Sequence, residues 1–316
     1  MRVLPAILIF LFFCGTIISS CRKNKDNVLL RRIPEKDSLG TGWQRITPDT
    51  KNKVFDVFFV NNTTGFLCGV NYLGKSTDGG LSWKRINIPT VGSDSSFITL
   101  FFLNATHGWM ISQRTVFRTV DAGSTWQSAT PNFSGLLDIQ FLNENEGFLT
   151  FGNGLAVTTD GGKTWQVRNQ SIVGYGSVFF LNKNTGWLAF DYIYKTTSSG
   201  FNFSIQSPIG IALHSIQFVD SLNGWAAGNG LYYTKNSGTT WNTMKDPQRA
   251  TCDMHFLDAL NGYIALGNRI YKTSDGNVTL TPMLKVPQES VIGEIFFFDL
   301  NHGWAVSGNS ILRYQK

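Results

Sequence analysis

Cysteine is scarce in this chain: four residues in 316, two of them (Cys14 and Cys21) within the first twenty-one. That leaves Cys68 and Cys252, with no Cys-x-x-Cys pair, so neither a disulfide framework nor a thiolate metal site is expected. Both are expected to pack as small apolar groups. Histidine is as rare, and His107, His214, His255 and His302 form no ligand-type spacing. Charged residues make up only 15 %, which leaves ample apolar material for a core. Long apolar runs are missing too. The longest, Leu4 to Phe13, is about ten residues, half of what a membrane-spanning helix needs. No Gly-x-Ser-x-Gly nucleophile elbow is present, and Gly152-x-Gly154 and Gly228-x-Gly230 have no helix pattern after them to make a phosphate loop.

What the chain does have is glycine (32) and phenylalanine (25), arranged with a period. A Phe stands six residues before a Gly, with Asn or Asp between them and an aromatic after the Gly. The pairs are Phe59/Gly65, Phe102/Gly108, Phe141/Gly147, Phe180/Gly186, Phe218/Gly224, Phe256/Gly262 and Phe297/Gly303. A repeat of about forty residues rich in strand formers is the mark of propeller blades. The expected fold is all-β: a seven-bladed β-propeller of four-stranded antiparallel blades spanning residues 42–316. In the third repeat the strands read 137–141, 147–151, 155–158 and 165–168. The seventh repeat holds only three strands. Gly42-Trp43-Gln44-Arg45-Ile46 reads as an orphan fourth strand that pairs with Ile311 to Tyr314 and closes the ring.

The turn before the fourth strand carries a second pattern, Ser/Thr-x-Asp-x-Gly-x-Ser/Thr-Trp. It runs from Ser76 to Trp83, Thr119 to Trp126 and Thr158 to Trp165, and decays in later repeats. Its carboxylate is expected to accept backbone N–H groups across the turn while the Trp wedges beneath it. Asp78, Asp121, Asp160 and Asp275 are therefore read as structural acids, each in its own blade. A different slot, three residues before each repeat Phe, reads Asp56, Thr99, Asp138, Ser177, Ser215, Asp253 and Glu294. These residues begin the innermost strands and are expected to ring one mouth of the central channel. Two readings are open. The four acids Asp56, Asp138, Asp253 and Glu294 bind a cation or basic partner there, or each caps the backbone of a neighbouring strand.

Residues 1–20 have the form of a signal segment: Arg2, the apolar run, then Ile18-Ser19-Ser20-Cys21. The last four resemble the lipobox of bacterial lipoproteins, which implies acylation of Cys21 and anchoring to a bacterial envelope membrane on its periplasmic or surface side. Residues 21–41 form a tether in which six basic residues outnumber three acidic ones. It is either a solvated linker or a strip that lies on anionic headgroups. The whole chain carries +6, of which the propeller retains about +2. With no clustered basic face, nucleic-acid binding is not expected.

The period, the Phe-to-Gly-aromatic slots and the turn motif, which resembles the Asp-box or BNR repeat, together resemble the photosystem II stability/assembly factor family. That resemblance covers residues 42–316 and implies a non-enzymatic scaffold that grips a protein partner. A monomer is expected, with no cofactor and no metal. Sialidases also carry Asp-boxes and an Arg-Ile-Pro triplet, matched here by Arg32-Ile33-Pro34. This second resemblance implies a carbohydrate-active hydrolase working through acids at the channel mouth.

Overall fold

The computed structural model of the chain describes residues 39–87, 96–172, 174, 176–206, 212–243, 251–276, 279–287 and 290–316, without the side chains of residues 251 and 252. The leader, Cys21 and the tether up to residue 38 lie outside these, as does the side chain of Cys252. The described strands form seven four-stranded antiparallel sheets. Their first strands touch one another in a closed circuit, blade one to blade seven and back to one. The fold is a seven-bladed propeller, as the repeat implies.

The third blade runs Leu136–Phe141, Gly147–Phe151, Gly154–Thr158 and Gln166–Asn169. Its fourth strand starts one residue later than the sequence suggests, because Trp165 still belongs to the turn. The second strands of blades one to six are buried at every position, as in Gly65–Gly69 and Gly108–Ser112. A blade packs a neighbour on each face, so strict alternation of polar and apolar residues is lost.

The closing strand is Trp43–Ile46. It pairs antiparallel with Ser310–Gln315, Trp43 opposite Tyr314 and Ile46 opposite Ile311. Trp43 packs at 5.2 Å from the Tyr314 ring and edge-on to Phe297 at 6.2 Å. The composite seventh blade thus joins the two ends of the propeller.

The repeated Phe and Gly-aromatic slots explain the ring. In each blade the repeat Phe folds back over its own Gly, so closely that a Cβ there would lie 2.2–2.6 Å from the phenyl ring. The other face of that phenyl meets the post-Gly aromatic of the preceding blade. Seven such stacks occur, from Trp304 on Phe59 (3.4 Å) and Phe66 on Phe102 (3.9 Å) round to Tyr263 on Phe297 (3.5 Å). Every one is within 18° of parallel. Each stack adds about 0.5–1.5 kcal/mol beyond the burial of its rings.

The Asp-box turns dock on the preceding blade through the same aromatics. Trp304 Nε1 donates to the Gly79 carbonyl (3.0 Å), Trp109 to Gly161 (2.9 Å) and Trp225 to Gly276 (3.1 Å). Where the aromatic is Phe66, Lys75 Nζ donates to Ala122 O at 2.7 Å instead. Within the turn, Asp160 Oδ1 accepts from Thr164 N and Oδ2 from its hydroxyl. These bonds outweigh the opposing effect of partial burial and hold Asp160 at about 2. Gly162 takes φ +89° there, and Trp165 sits edge-on to Phe141.

Candidate functional site at the inner rim

The innermost strand of each blade is an edge strand. Its outer side pairs within the blade, and its inner side presents free N–H groups toward the axis. In five blades this strand carries a register shift just before the slot of interest, at Val54/Asp56, Phe97/Thr99, Leu136/Asp138, Leu213/Ser215 and Thr251/Asp253. A bulge re-aims the side chain that follows it. Here it turns the carboxylate toward the next blade.

Asp56 Oδ2 accepts from Leu100 N at 2.7 Å and from the Thr99 hydroxyl at 2.8 Å, both in blade two. Asp138 repeats this on blade four, with Val178 N at 2.9 Å and Ser177 Oγ at 2.7 Å. Asp253 accepts from Ile295 N of blade seven at 2.9 Å. The acids and hydroxyls of the slot are thus partners: an Asp in one blade holds the slot residue or the next N–H of the following blade. Asp56 and Asp253 are buried, while Asp138 and Glu294 are half-buried.

Burial raises all four acids. Asp56 rises to about 6 and Asp253 to about 7, burial outweighing the backbone hydrogen bonds they accept. Glu294 is pushed well up, first by burial and then by the charges of Asp253 and Asp56, and its carboxyl hydrogen-bonds to Asp253. The charge of Asp138 adds a smaller upward push on Asp56 and Glu294.

Two residues escaped the sequence reading. Gln217, one place before the repeat Phe, donates Nε2 to Phe256 O (2.9 Å) and accepts from Phe256 N (2.8 Å). Gln140 makes the same two bonds to Phe180. The signal was a Gln in a slot that otherwise reads Phe58, Phe101, Phe179, His255 and Phe296. Those half-buried rings face the axis, Phe296 lying 4.9 Å from Phe58 and 5.0 Å from His255. Desolvation lowers His255 to about 4.

The remaining histidines stand apart. His302 pairs with Asp299 in its own turn, and His107 reaches Glu144 of the next blade at 3.5 Å. Cys68 is a buried free thiol that donates to Phe97 O at 3.4 Å. Asp78, Asp121, Asp160 and Asp275 each hold their own turn and are not brought together.

Residues 36–132 match the family described as Photosynthesis system II assembly factor YCF48. Over that stretch the chain is similar to the YCF48 family, in keeping with the resemblance drawn from its repeats. Among solved structures, YCF48 bound to a D1 peptide is 21 % identical with a TM-score of 0.73, over 87 % of this chain and 97 % of that one. YCF48 from Cyanidioschyzon merolae is 18 % identical, TM-score 0.69, over 87 % and 99 %. A GH74 xyloglucanase from Xanthomonas campestris is 13 % identical, TM-score 0.68, over 85 % of this chain but 53 % of its own. At these identities the likeness is one of fold. No curated protein sequence matches the chain.

Proposed function

We propose that this YCF48-like propeller is a non-enzymatic scaffold that binds a protein partner at a bacterial envelope membrane, anchored there through acylated Cys21. The observation that carries the binding role is the match of residues 36–132 to the assembly-factor family, together with a solved likeness that holds a D1 peptide. The geometry of the inner rim supports it. The three Asp side chains are committed to the backbone of the next blade. Glu294 and Asp253 hydrogen-bond to each other, whereas glycosidases hold their two carboxyl groups about 5–9.5 Å apart around the scissile bond. The likeness to GH74 therefore brings no glycoside chemistry to this rim. Anchoring rests on Arg2, the apolar run and Ile18-Ser19-Ser20-Cys21.

The test is affinity capture of the full-length protein from native bacterial membranes. A reproducible protein partner is expected. Recovery of glycans alone, or hydrolysis of xyloglucan by the purified protein, defeats the scaffold reading. Cys21→Ser is expected to move the protein from the membrane to the soluble fraction and to remove the acyl mass from its N-terminal peptide. An unchanged distribution defeats the anchor.

A further inference from the structure

All seven blades make the same turn between their first and second strands. A side-chain oxygen four residues before the repeat Gly accepts two backbone N–H groups, two and three residues on. Asn61, Asn104, Asn143 and Asn182 do this in blades one to four. Asp220, Asp258 and Asp299 do it in blades five to seven with the same geometry, 2.7–2.9 Å. The fold does not require the charge, since four blades form the turn without it.

The tips of these turns change in the same three blades. Blades one to four carry Thr63, Thr106, Asn145 and Asn184 two places before the Gly. Blades five and six carry Leu222 and Leu260 there, 53 % and 56 % exposed; blade seven keeps Asn301 in that slot but carries Leu300 one place earlier and Phe298 two places before that, 41 % and 42 % exposed. Other exposed apolar side chains, such as Leu81 and Val120, stand singly and need no explanation. The leucine-bearing tips do not give way easily. Leu222 O and Leu260 O accept from Ser237 N and Gly276 N of their own Asp-box turns, and Tyr263 of blade six reaches Leu300 O.

We infer that the turns of blades five to seven form one docking surface for a basic, leucine-rich segment of a protein, its apolar side chains seated on Leu222, Leu260 and Leu300 and its cations on the intervening carboxylates. The inference rests on the scaffold reading and says where the scaffold grips. Charge decides the class of partner. Burial opposes ionisation of Asp220, Asp258 and Asp299, but hydrogen bonds from Asn223, from Asn261, and from the backbone of Asn301 with His302 prevail and hold them below the usual carboxylate range. Among the described residues Asp220 and Asp258 form no ion pair with a Lys, Arg or His side chain, and Asp299 Oδ2 lies 2.9 Å from His302 Nδ1. Three anions among exposed leucines repel an anionic lipid surface and attract a cationic chain.

The blades provide their own controls. In full-length protein, one triple variant replaces the acids by the residue of blades one to four (Asp220→Asn, Asp258→Asn, Asp299→Asn). A second replaces the apolar tips by residues the same slots hold elsewhere (Leu222→Thr, Leu260→Thr, Leu300→Ser). Both are expected to melt as the parent does. The probes are a synthetic Leu/Lys amphipathic 15-residue peptide, its Leu/Glu counterpart, and phosphatidylglycerol vesicles. The Lys peptide is expected to bind, with affinity at least tenfold weaker in either variant and falling with salt. The surface is refuted by the Lys peptide failing to bind, by equal binding of the Glu peptide, by variants that bind like the parent, or by vesicle binding that the leucine variant abolishes. A partner captured from membranes that still binds both variants leaves the scaffold reading standing and removes only this surface.

Discussion

The indole of Trp304, in blade seven, lies 3.4 Å from the ring of Phe59 in blade one, 9° from parallel, and donates Nε1 to the Gly79 carbonyl. This one side chain makes both contacts that recur around the ring, the stack and the turn-docking bond, at the seam between the last blade and the first. Trp304→Ala is expected to cost about 3–5 kcal/mol. Trp304→Phe keeps the stack, as Phe66 and Phe148 do in blades one and three, and loses only the hydrogen bond, about 1 kcal/mol. Urea denaturation midpoints measure both. Equal losses in the two variants would contradict a ring held by stacking.

Trp43 packs on the opposite face of blade seven, in the core that blade seven shares with blade six. Deleting residues 39–46 leaves the outer edge of Ser310–Gln315 unpaired. An open strand edge invites a second chain. The deletion is expected to lower the melting temperature and produce concentration-dependent association by light scattering. A monomer that melts like the parent would show the strand to be dispensable.

The repeat made the architecture legible because each of its residues performs a local task. Phe59 covers Gly65, Gly65 leaves room for it, and Trp304 meets its far face. Seven copies average out any single substitution. The turn before the fourth strand was readable for the same reason, since Asp160 and Thr164 lie four residues apart and bond directly. The inner rim was less so. Whether Asp56 faces a ligand or Leu100 depends on a bulge and on a strand forty-four residues away. Gln140 and Gln217 were hidden because a bond to the next blade leaves no local spacing. The division between Asn turns and Asp turns was present in the sequence, but it gains meaning only once all seven turns are seen to share one geometry.

The rim makes stability depend on pH. Asp56 at about 6 and Asp253 at about 7 titrate above unfolded carboxylates, so the folded state prefers their protonated forms. Their stabilisation is full below about pH 4 and is lost as pH rises through 6 and 7. His255, lowered to about 4, contributes the opposite trend between 6.5 and 4. The double variant Asp56→Asn, Asp253→Asn keeps an oxygen for Leu100 N and Ile295 N and leaves His255 in place. Its stability relative to the parent therefore isolates the carboxylates. Parent and variant are expected to match below about pH 4 and to diverge as pH rises through 6 and 7, the variant then the more stable. A difference that stays flat with pH would refute the raised carboxyls.

Gln217 tests whether the open edges of the inner strands need side-chain partners. Both of its amide groups bond the backbone of Phe256 in the next blade. Asp138 and Gln140 cap alternate N–H groups, Val178 and Phe180, along one inner strand. That spacing matches the period of a strand edge, whose free N–H groups fall at every second residue. Gln217→Leu retains most of the volume but leaves a half-buried N–H and C=O without protein partners, and is expected to cost about 1–3 kcal/mol. Gln217→Glu keeps one acceptor for Phe256 N but loses the donor to Phe256 O, so its loss is expected to be smaller at low pH, where a protonated carboxyl supplies both. Hydrogen exchange at Phe256 N is the direct measurement. Faster exchange in Gln217→Leu with an unchanged rate at distant amides is expected, and an unaltered rate at Phe256 would mean that the bridge adds nothing to the strand edge it spans.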